Sequence, residues 1–214
     1  TTMLGLQTEE SKNEGEMLLP FETCGIKAMT IGKLVEPERA LIWRGPRAHS
    51  AFNQLATQTK WGSLDQLIVD LPPGTGDVPL SLAQLLPLTG AIIVCTPQVV
   101  AQDDARRAVR MFQQLGVPIL GLVENMSYFI GDDGKEYDLF GKGGGEQLAA
   151  SMNIEFLGSL PIHPEMRVAA DSGTPLDYWN IDDSVTASLD NFIQSVINVA
   201  QRSEPNQPTL TINS

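Results

Sequence analysis

Three short runs of this chain are apolar at almost every position, and segments with helical spacing lie between and after them. The runs cover residues 67–71, 91–96 and 117–123. Strands that are apolar on both faces are typical of parallel sheets covered by helices on both sides. The pattern therefore predicts an α/β fold with a mostly parallel sheet between two layers of helices.

The remaining periodicity predicts the other elements. The clearest helix covers residues 101–115, and further helices are predicted over 47–59, 79–86, 143–152 and 185–202. A strand with a glycine interruption is predicted over 25–35 and a short strand over 154–160, with a hairpin over 130–140 that turns at Asp133-Gly134. Residues 1–20 are predicted to be a flexible lead-in, 21–202 a single domain, and 203–214 a tail.

The stretch that most clearly indicates a binding site is residues 64–77, LDQLIVDLPPGTGD. An apolar run presents Asp70 near its end, two prolines and two glycines follow, and Asp77 comes next. A buried strand that delivers a carboxylate into a glycine-rich loop is one way in which proteins hold Mg²⁺ beside a phosphate. An ordinary strand followed by a turn is the alternative, but the whole DLPPGTGD string favours a nucleotide site.

In parallel sheets the ligand lies at the carboxyl ends of the strands. The candidate binding loops are therefore residues 72–78, 97–102, 124–127 and 161–167.

Charge narrows the range of partners. The 214 residues carry a net charge of −12, which disfavours binding to nucleic acid and to anionic membranes. No apolar stretch is as long as a membrane span. The two cysteines, Cys24 and Cys95, form no CxxC pair, so they indicate a reducing compartment and no metal site by spacing.

Five motifs occur here in the same order as in the Mrp/ApbC family, over about residues 3–176. In chain order they are WRGP (43–46), DLPPGTGD (70–77), TPQ (96–98), VENMS (123–127) and DSGTP (171–175). The chain thus resembles this family of MinD-like deviant P-loop ATPases, which carry iron–sulfur clusters. The resemblance implies a P-loop NTPase domain, ATP and Mg²⁺ as ligands, and a homodimer that serves iron–sulfur apoproteins.

The resemblance also implies roles for single residues. Asp70 matches the strand-end aspartate that holds a Mg²⁺-bound water, and Asp77 closes the loop that senses the γ-phosphate. That loop matches at Pro73, Gly74, Thr75 and Gly76.

On the adenine side, Asn125 matches the asparagine that contacts the base, with a turn after a strand as the alternative. Pro161 and Ile162 match the segment that flanks the base, whereas His163 is read as a surface residue.

Two features of the family pattern are missing. The GKGGxGK[ST] phosphate loop and the first-switch aspartate do not occur in this sequence, so the nucleotide domain is read as incomplete. GKGGG at residues 141–145 lacks the required Lys and Ser/Thr and is read as a flexible helix entry. Since phosphate positioning supplies most of phosphoryl-transfer catalysis, this segment alone is predicted to hydrolyse ATP negligibly.

The second missing feature is the CxxC that many members carry after NMS, where two such pairs hold a cluster across the dimer. Residues 129–134 read FIGDDG, similar to the branch that includes the plastid photosystem I assembly factor. No ligands for a [4Fe–4S] cluster are therefore identifiable, although Cys24 remains a candidate.

The leading interpretation is an ATP-dependent iron–sulfur cluster carrier in the bacterial cytosol or the plastid stroma. One alternative is a MinD- or ParA-like positioning ATPase, against which the acidic charge and a closing helix with one basic residue, Arg202, argue. The other is a non-catalytic interaction module, which applies if the phosphate loop is truly absent from the protein.

Overall fold

The computed structural model describes residues 1–33, 45–71, 77–131 and 133–203, without the side chains of residues 45–49 and 77. The chain forms two compact units. Unit 1 comprises Thr1–Leu85 and Arg167–Asp177, and unit 2 comprises Leu86–Met166 and Tyr178–Ser214. The segment 21–202, predicted as one domain, is divided between these two units.

Within the described residues the strands are two to six residues long and the α-helices nine to twenty. The strands are β1 (Lys12–Glu14), β2 (Met17–Leu19), β3 (Phe21–Thr23), β4 (Ile26–Ala28), β5 (Ala91–Cys95), β6 (Ile119–Glu124), β7 (Phe129–Ile130), β8 (Glu136–Tyr137) and β9 (Phe156–Ser159). The helices are α1 (Gly45–Thr57), α2 (Asp77–Leu85), α3 (Val99–Gln114), α4 (Gly144–Met152), α5 (Pro164–Ser172) and α6 (Asp183–Arg202).

Unit 1 contains two antiparallel hairpins, β1–β2 and β3–β4. The first lies within residues 1–20, the predicted flexible lead-in, where Leu6 and Leu18 are buried. The strand predicted over residues 25–35 forms only in part: β4 ends at Ala28, Ile31–Lys33 is a turn of 3-10 helix, and residues 34 and 35 lie outside the described residues. Strand β4 pairs with β3 through a turn at Cys24-Gly25. Both turn residues have positive φ, 51° and 75°, which matches the twist of a tight hairpin.

The strand predicted over residues 67–71 is also wrong in the structure as described. The segment is irregular, and the exposed fraction is 45% for Leu67 and 87% for Ile68. A strand is stable only where a neighbour accepts its backbone hydrogen bonds, and within the described ranges no ladder includes these residues. Apolar composition alone therefore does not make this run a strand.

Unit 2 contains a three-stranded parallel sheet in the order β5–β6–β9. Its central strand is covered on both faces. Leu122 lies under the start of α4, while Val123 packs with Leu120, Leu157 and Val199 of α6. The parallel sheet with helices on both faces that the apolar runs predicted is confirmed for this unit.

All five helices predicted from periodicity are confirmed within two residues at either end. Between β6 and α4, β7 and β8 form the predicted hairpin with Gly134 at the turn. The loop predicted over residues 161–167 is wrong at its end, because α5 begins at Pro164, a residue well suited to the first turn of a helix. Among the helices of the described residues, none is long and apolar enough to cross a membrane.

Candidate functional site

The carboxyl ends of β5, β6 and β9 lie side by side, since parallel strands all point the same way. The loops that follow begin at Thr96, Asn125 and Leu160. Cys95 pairs with Glu124 and Glu124 with Ser159, so the three loops leave the sheet at the same level. This edge is where α/β folds bind their ligands.

Backbone hydrogen bonds continue beyond the strand ends and hold two of these loops together. Asn125 N donates to Cys95 O at 2.7 Å, and Leu160 N donates to Glu124 O at 2.8 Å. Ser127 N then donates to Leu160 O at 2.9 Å, and Ile162 N to Tyr128 O at 2.7 Å. The structure thus brings together Asn125, Pro161 and Ile162, the three residues predicted to lie around the base.

The Asn125 side chain is held in a defined orientation. Its Oδ1 accepts from Met126 N at 3.0 Å, which identifies the oxygen end of the amide. Within the described part of the chain the Nδ2 end has no hydrogen-bond partner and can donate to a ligand. Met126 has a φ of 56°, a left-handed conformation that a non-glycine residue adopts only where its surroundings enforce it.

A second polar residue, which the sequence analysis missed, lies directly beneath this loop. Glu124 is only 1% exposed. Its Oε1 accepts from Ser127 Oγ and its Oε2 from Gly145 N, both at 2.5 Å. A carboxylate at the end of an otherwise apolar strand was the signal that could have identified it, the same signal that drew attention to Asp70.

Two glycines of the segment 141–145, Gly144 and Gly145, are buried and closely packed, which corrects the prediction of a flexible helix entry at these two positions. A Cβ on Gly144 would lie 2.4 Å from Pro97 O, and one on Gly145 would lie 3.0 Å from Glu124 Oε2. Helix α4 can approach the strand ends this closely only because these positions lack side chains.

The loop that carries Pro161 and Ile162 is anchored to the start of α6. His163 Nε2 lies 3.4 Å from Asp182 Oδ2, and His163 Nδ1 accepts from Glu165 N. Asp182 caps α6 by accepting from Val185 N at 2.8 Å. Hydrogen bonds from Ser184 and Val185, together with His163, lower the pKa of the Asp182 carboxyl.

The residues predicted for the phosphate and metal side belong to unit 1. Asp70 is exposed, on the irregular segment described above. Pro73, Gly74, Thr75 and Gly76 lie outside the described residues, and Asp77 is the first residue of α2. In the ranges that are described, no three His, Cys, Asp or Glu side chains cluster as metal ligands.

The two thiols differ sharply in environment. Cys24 is exposed at the turn of the β3–β4 hairpin, whereas Cys95 is buried at the end of β5. Burial, with a smaller contribution from the charge of Glu124, raises the pKa of Cys95 to about 11. Near neutral pH this thiol stays protonated and is a poor metal ligand.

A parallel sheet with a cluster of loops at its carboxyl edge defines an α/β protein whose candidate ligand site lies at that edge. Comparison with known proteins identifies the family. The model described as ParA, NUBPL iron-transfer P-loop NTPase, matches residues 1–197, and the chain belongs to this family. The family predicted from the five motifs is thus confirmed.

Curated relatives agree with this assignment. The chain is 48% identical over 181 residues to the iron–sulfur cluster carrier protein of Synechocystis, a match covering 82% of this chain and 51% of the relative. It is 44% identical over 198 residues to the iron–sulfur cluster transfer protein NUBPL of Dictyostelium discoideum, covering 91% and 61%. The chain spans about half the length of most of the curated relatives that it matches.

Solved structures show the same fold. A nucleotide-binding protein of Archaeoglobus fulgidus, solved in complex with ADP, matches with a TM-score of 0.70 and 34% identity, over 83% of this chain and 70% of that one. The cell division ATPase MinD of Pyrococcus furiosus matches with a TM-score of 0.52 and 15% identity, over 73% and 59%. The second likeness concerns the fold alone.

Proposed function

We propose that this chain is part of an ATP-dependent iron–sulfur cluster carrier and supplies its adenine-binding loops. One observation carries the nucleotide half of this proposal. The hydrogen bonds that continue past β6 and β9 keep the loop of Asn125 next to the loop of Pro161 and Ile162, at the carboxyl edge of the sheet, and this supports an adenine contact there. The Asn125 amide offers a donor and an acceptor to the base edge, and the neighbouring segment offers apolar surface.

On the phosphate side, the proposal gives Asp70 and Asp77 the metal and water contacts, and residues 73–76 the contacts to the γ-phosphate. The exposed carboxylate of Asp70 fits a hydrated Mg²⁺, which binds through water and few protein oxygens. Magnesium would neutralise phosphate charge when bound. The chain's own contribution would be to hold the ion and the attacking water in place.

The cargo is proposed from the family and the names of the relatives. A [4Fe–4S] cluster usually takes four thiolates, whereas this sequence has two cysteines, of which Cys95 is buried and protonated. These residues do not make a cluster site within one copy of the chain. Cluster binding by thiolates of this chain alone is therefore no part of the proposal.

The proposal extends to assembly and compartment. A homodimer that delivers clusters to apoproteins follows from the family resemblance, and two free cysteines fit a reducing compartment such as the bacterial cytosol or the plastid stroma. A positioning ATPase is less favoured, because α6 has one basic residue in its last turn instead of a basic face.

The nucleotide half is tested by binding ADP and GDP to the full-length protein in a calorimeter. Asn125→Ala should lower the affinity for ADP about tenfold, because one or two hydrogen bonds to the base are lost. The affinity for GDP should stay unchanged. Asn191→Ala, on the exposed surface of α6, is the matched control. Equal ADP affinity in wild type and Asn125→Ala would overturn the proposed adenine contact.

The carrier half is tested by anaerobic loading with iron and sulfide. The full-length protein should acquire the visible absorption of an iron–sulfur cluster and restore the activity of an iron–sulfur apoenzyme when mixed with it. Protein that stays colourless in both its monomer and its dimer fractions would refute the carrier function, while ADP binding would remain a separate result.

A further inference from the structure

Both oxygens of the buried Glu124 carboxylate accept a hydrogen bond from the protein. A charged group so far from water is unfavourable unless hydrogen bonds compensate it. Each oxygen has one donor, Ser127 Oγ on the loop and Gly145 N on α4. The side chain therefore links three parts of unit 2, namely the end of β6, the loop after it and the start of α4.

The link to Ser127 holds the residues on either side of Met126. Asn125 is fixed through its backbone N–H to Cys95 O, and Ser127 through its backbone N–H to Leu160 O. The Glu124–Ser127 bond adds a third tie across the turn, whose middle residue has a φ of 56°. Without this tie, Met126 can relax from the left-handed region and rotate the Asn125 side chain.

The link to Gly145 holds Glu124 itself. Helix α4 begins after Gly143, which provides no side-chain cap, and the Glu124 carboxylate accepts from one of its free N–H groups instead. The glycine leaves the space that the carboxylate fills, since a Cβ there would lie 3.0 Å from both Glu124 Oε2 and Glu124 Cβ. Attraction between the carboxylate and the positive end of α4 adds to this contact.

We infer that Glu124 is a positioning residue that sets the orientation of the Asn125 amide and thereby the preference for adenine over guanine. This inference rests on the proposed adenine contact. Glu124 is too deeply buried to touch the nucleotide, so it acts through the turn that it holds. A purely structural role would weaken every nucleotide equally, whereas a positioning role lowers the ratio of ADP to GDP affinity.

The test measures this ratio in the full-length protein by calorimetry. Glu124→Ala should lower it about tenfold, as Asn125→Ala does, and the double variant should show no further loss because both changes remove one interaction. Glu124→Gln should keep the ratio within about twofold. Its amide oxygen accepts from Gly145 N, and its NH₂ group can donate to Ser127 Oγ.

Two further variants keep the outcome interpretable. Glu146→Ala removes an exposed carboxylate from the same turn of α4 and should leave the ratio unchanged. If Glu124→Ala does not fold, Ser127→Ala removes only the loop contact and should lower the ratio in the same direction. An unchanged ratio in the Glu124 or Ser127 variant, with a lowered ratio in Asn125→Ala, refutes the inference; no effect of Asn125→Ala refutes the adenine contact itself.

Discussion

Two apolar runs in this chain look alike in sequence and differ completely in structure. Residues 67–71 in unit 1 carry Asp70 near their end, and β6 in unit 2 ends in Glu124. In β6, Leu122 is 0% exposed, whereas Ile68 is 87% exposed. The same pattern of apolar residues followed by a carboxylate thus gives a buried central strand in one place and an irregular exposed segment in the other.

The difference lies in the neighbours. Strand β6 has β5 on one side and β9 on the other, with α4 and α6 covering its two faces. Burying a leucine or isoleucine side chain is worth about 1.5–3 kcal/mol, and only a covered strand gains it. Residues 67–71 belong to no ladder within the described ranges, so they lack ladder hydrogen bonds, and none of their side chains is fully buried.

Truncating one side chain in each run tests this comparison directly, and the change in the free energy of unfolding is the largest effect that we expect. Leu122→Ala should lower the free energy of unfolding by about 2–5 kcal/mol, because it opens a cavity in the centre of the sheet. Ile68→Ala, a truncation of similar size at an exposed site, should change it by no more than about 0.5 kcal/mol. Both are measured by urea unfolding of the same protein. Equal losses would show that residues 67–71 form a buried strand in solution.

Unit 2 could be predicted from sequence because its local signals agree with its long-range contacts. Residues 91–96 and 117–123 were predicted as strands and fold as β5 and β6, since each apolar run finds a partner. The helix over 101–115 was equally clear, and it buries Ala105, Val109 and Phe112 on one face. Where neighbouring strands and helices cover a segment, its composition and periodicity are enough to predict the element that it forms.

What the sequence could not supply is contacts between distant positions. Glu124 and Gly145 are 21 residues apart, and no local pattern indicates that Glu124 accepts a hydrogen bond from the first turn of the helix that contains Gly145. Gly144 and Gly145 looked flexible because their close neighbours, Pro97 and Glu124, come from other elements. In the candidate site, Asn125, Pro161 and Ile162 were recognised by their motifs, whereas the hydrogen bonds that join their loops were visible only in the fold.

The two cysteines extend the comparison between the units to chemistry. Cys24 of unit 1 is exposed and Cys95 of unit 2 is buried, with a pKa raised to about 11. In the native protein at pH 8, a thiol reagent such as DTNB should label one cysteine per chain rapidly and the second at least about a hundredfold more slowly. Cys24→Ser should abolish the fast phase, and Cys95→Ser should leave it unchanged.

The burial of Cys95 also makes the stability of the protein depend on pH. The native state holds the Cys95 proton more tightly than the unfolded chain does, so the contribution of this thiol to stability is complete below its ordinary pKa. It is lost as the pH rises from about 9 towards 11. Cys95→Ala should therefore flatten the fall in the free energy of unfolding across this window, while Cys24→Ala should leave the slope unchanged. An identical alkaline slope in both variants, or equal labelling rates for the two thiols, would contradict the burial of Cys95 beside Glu124.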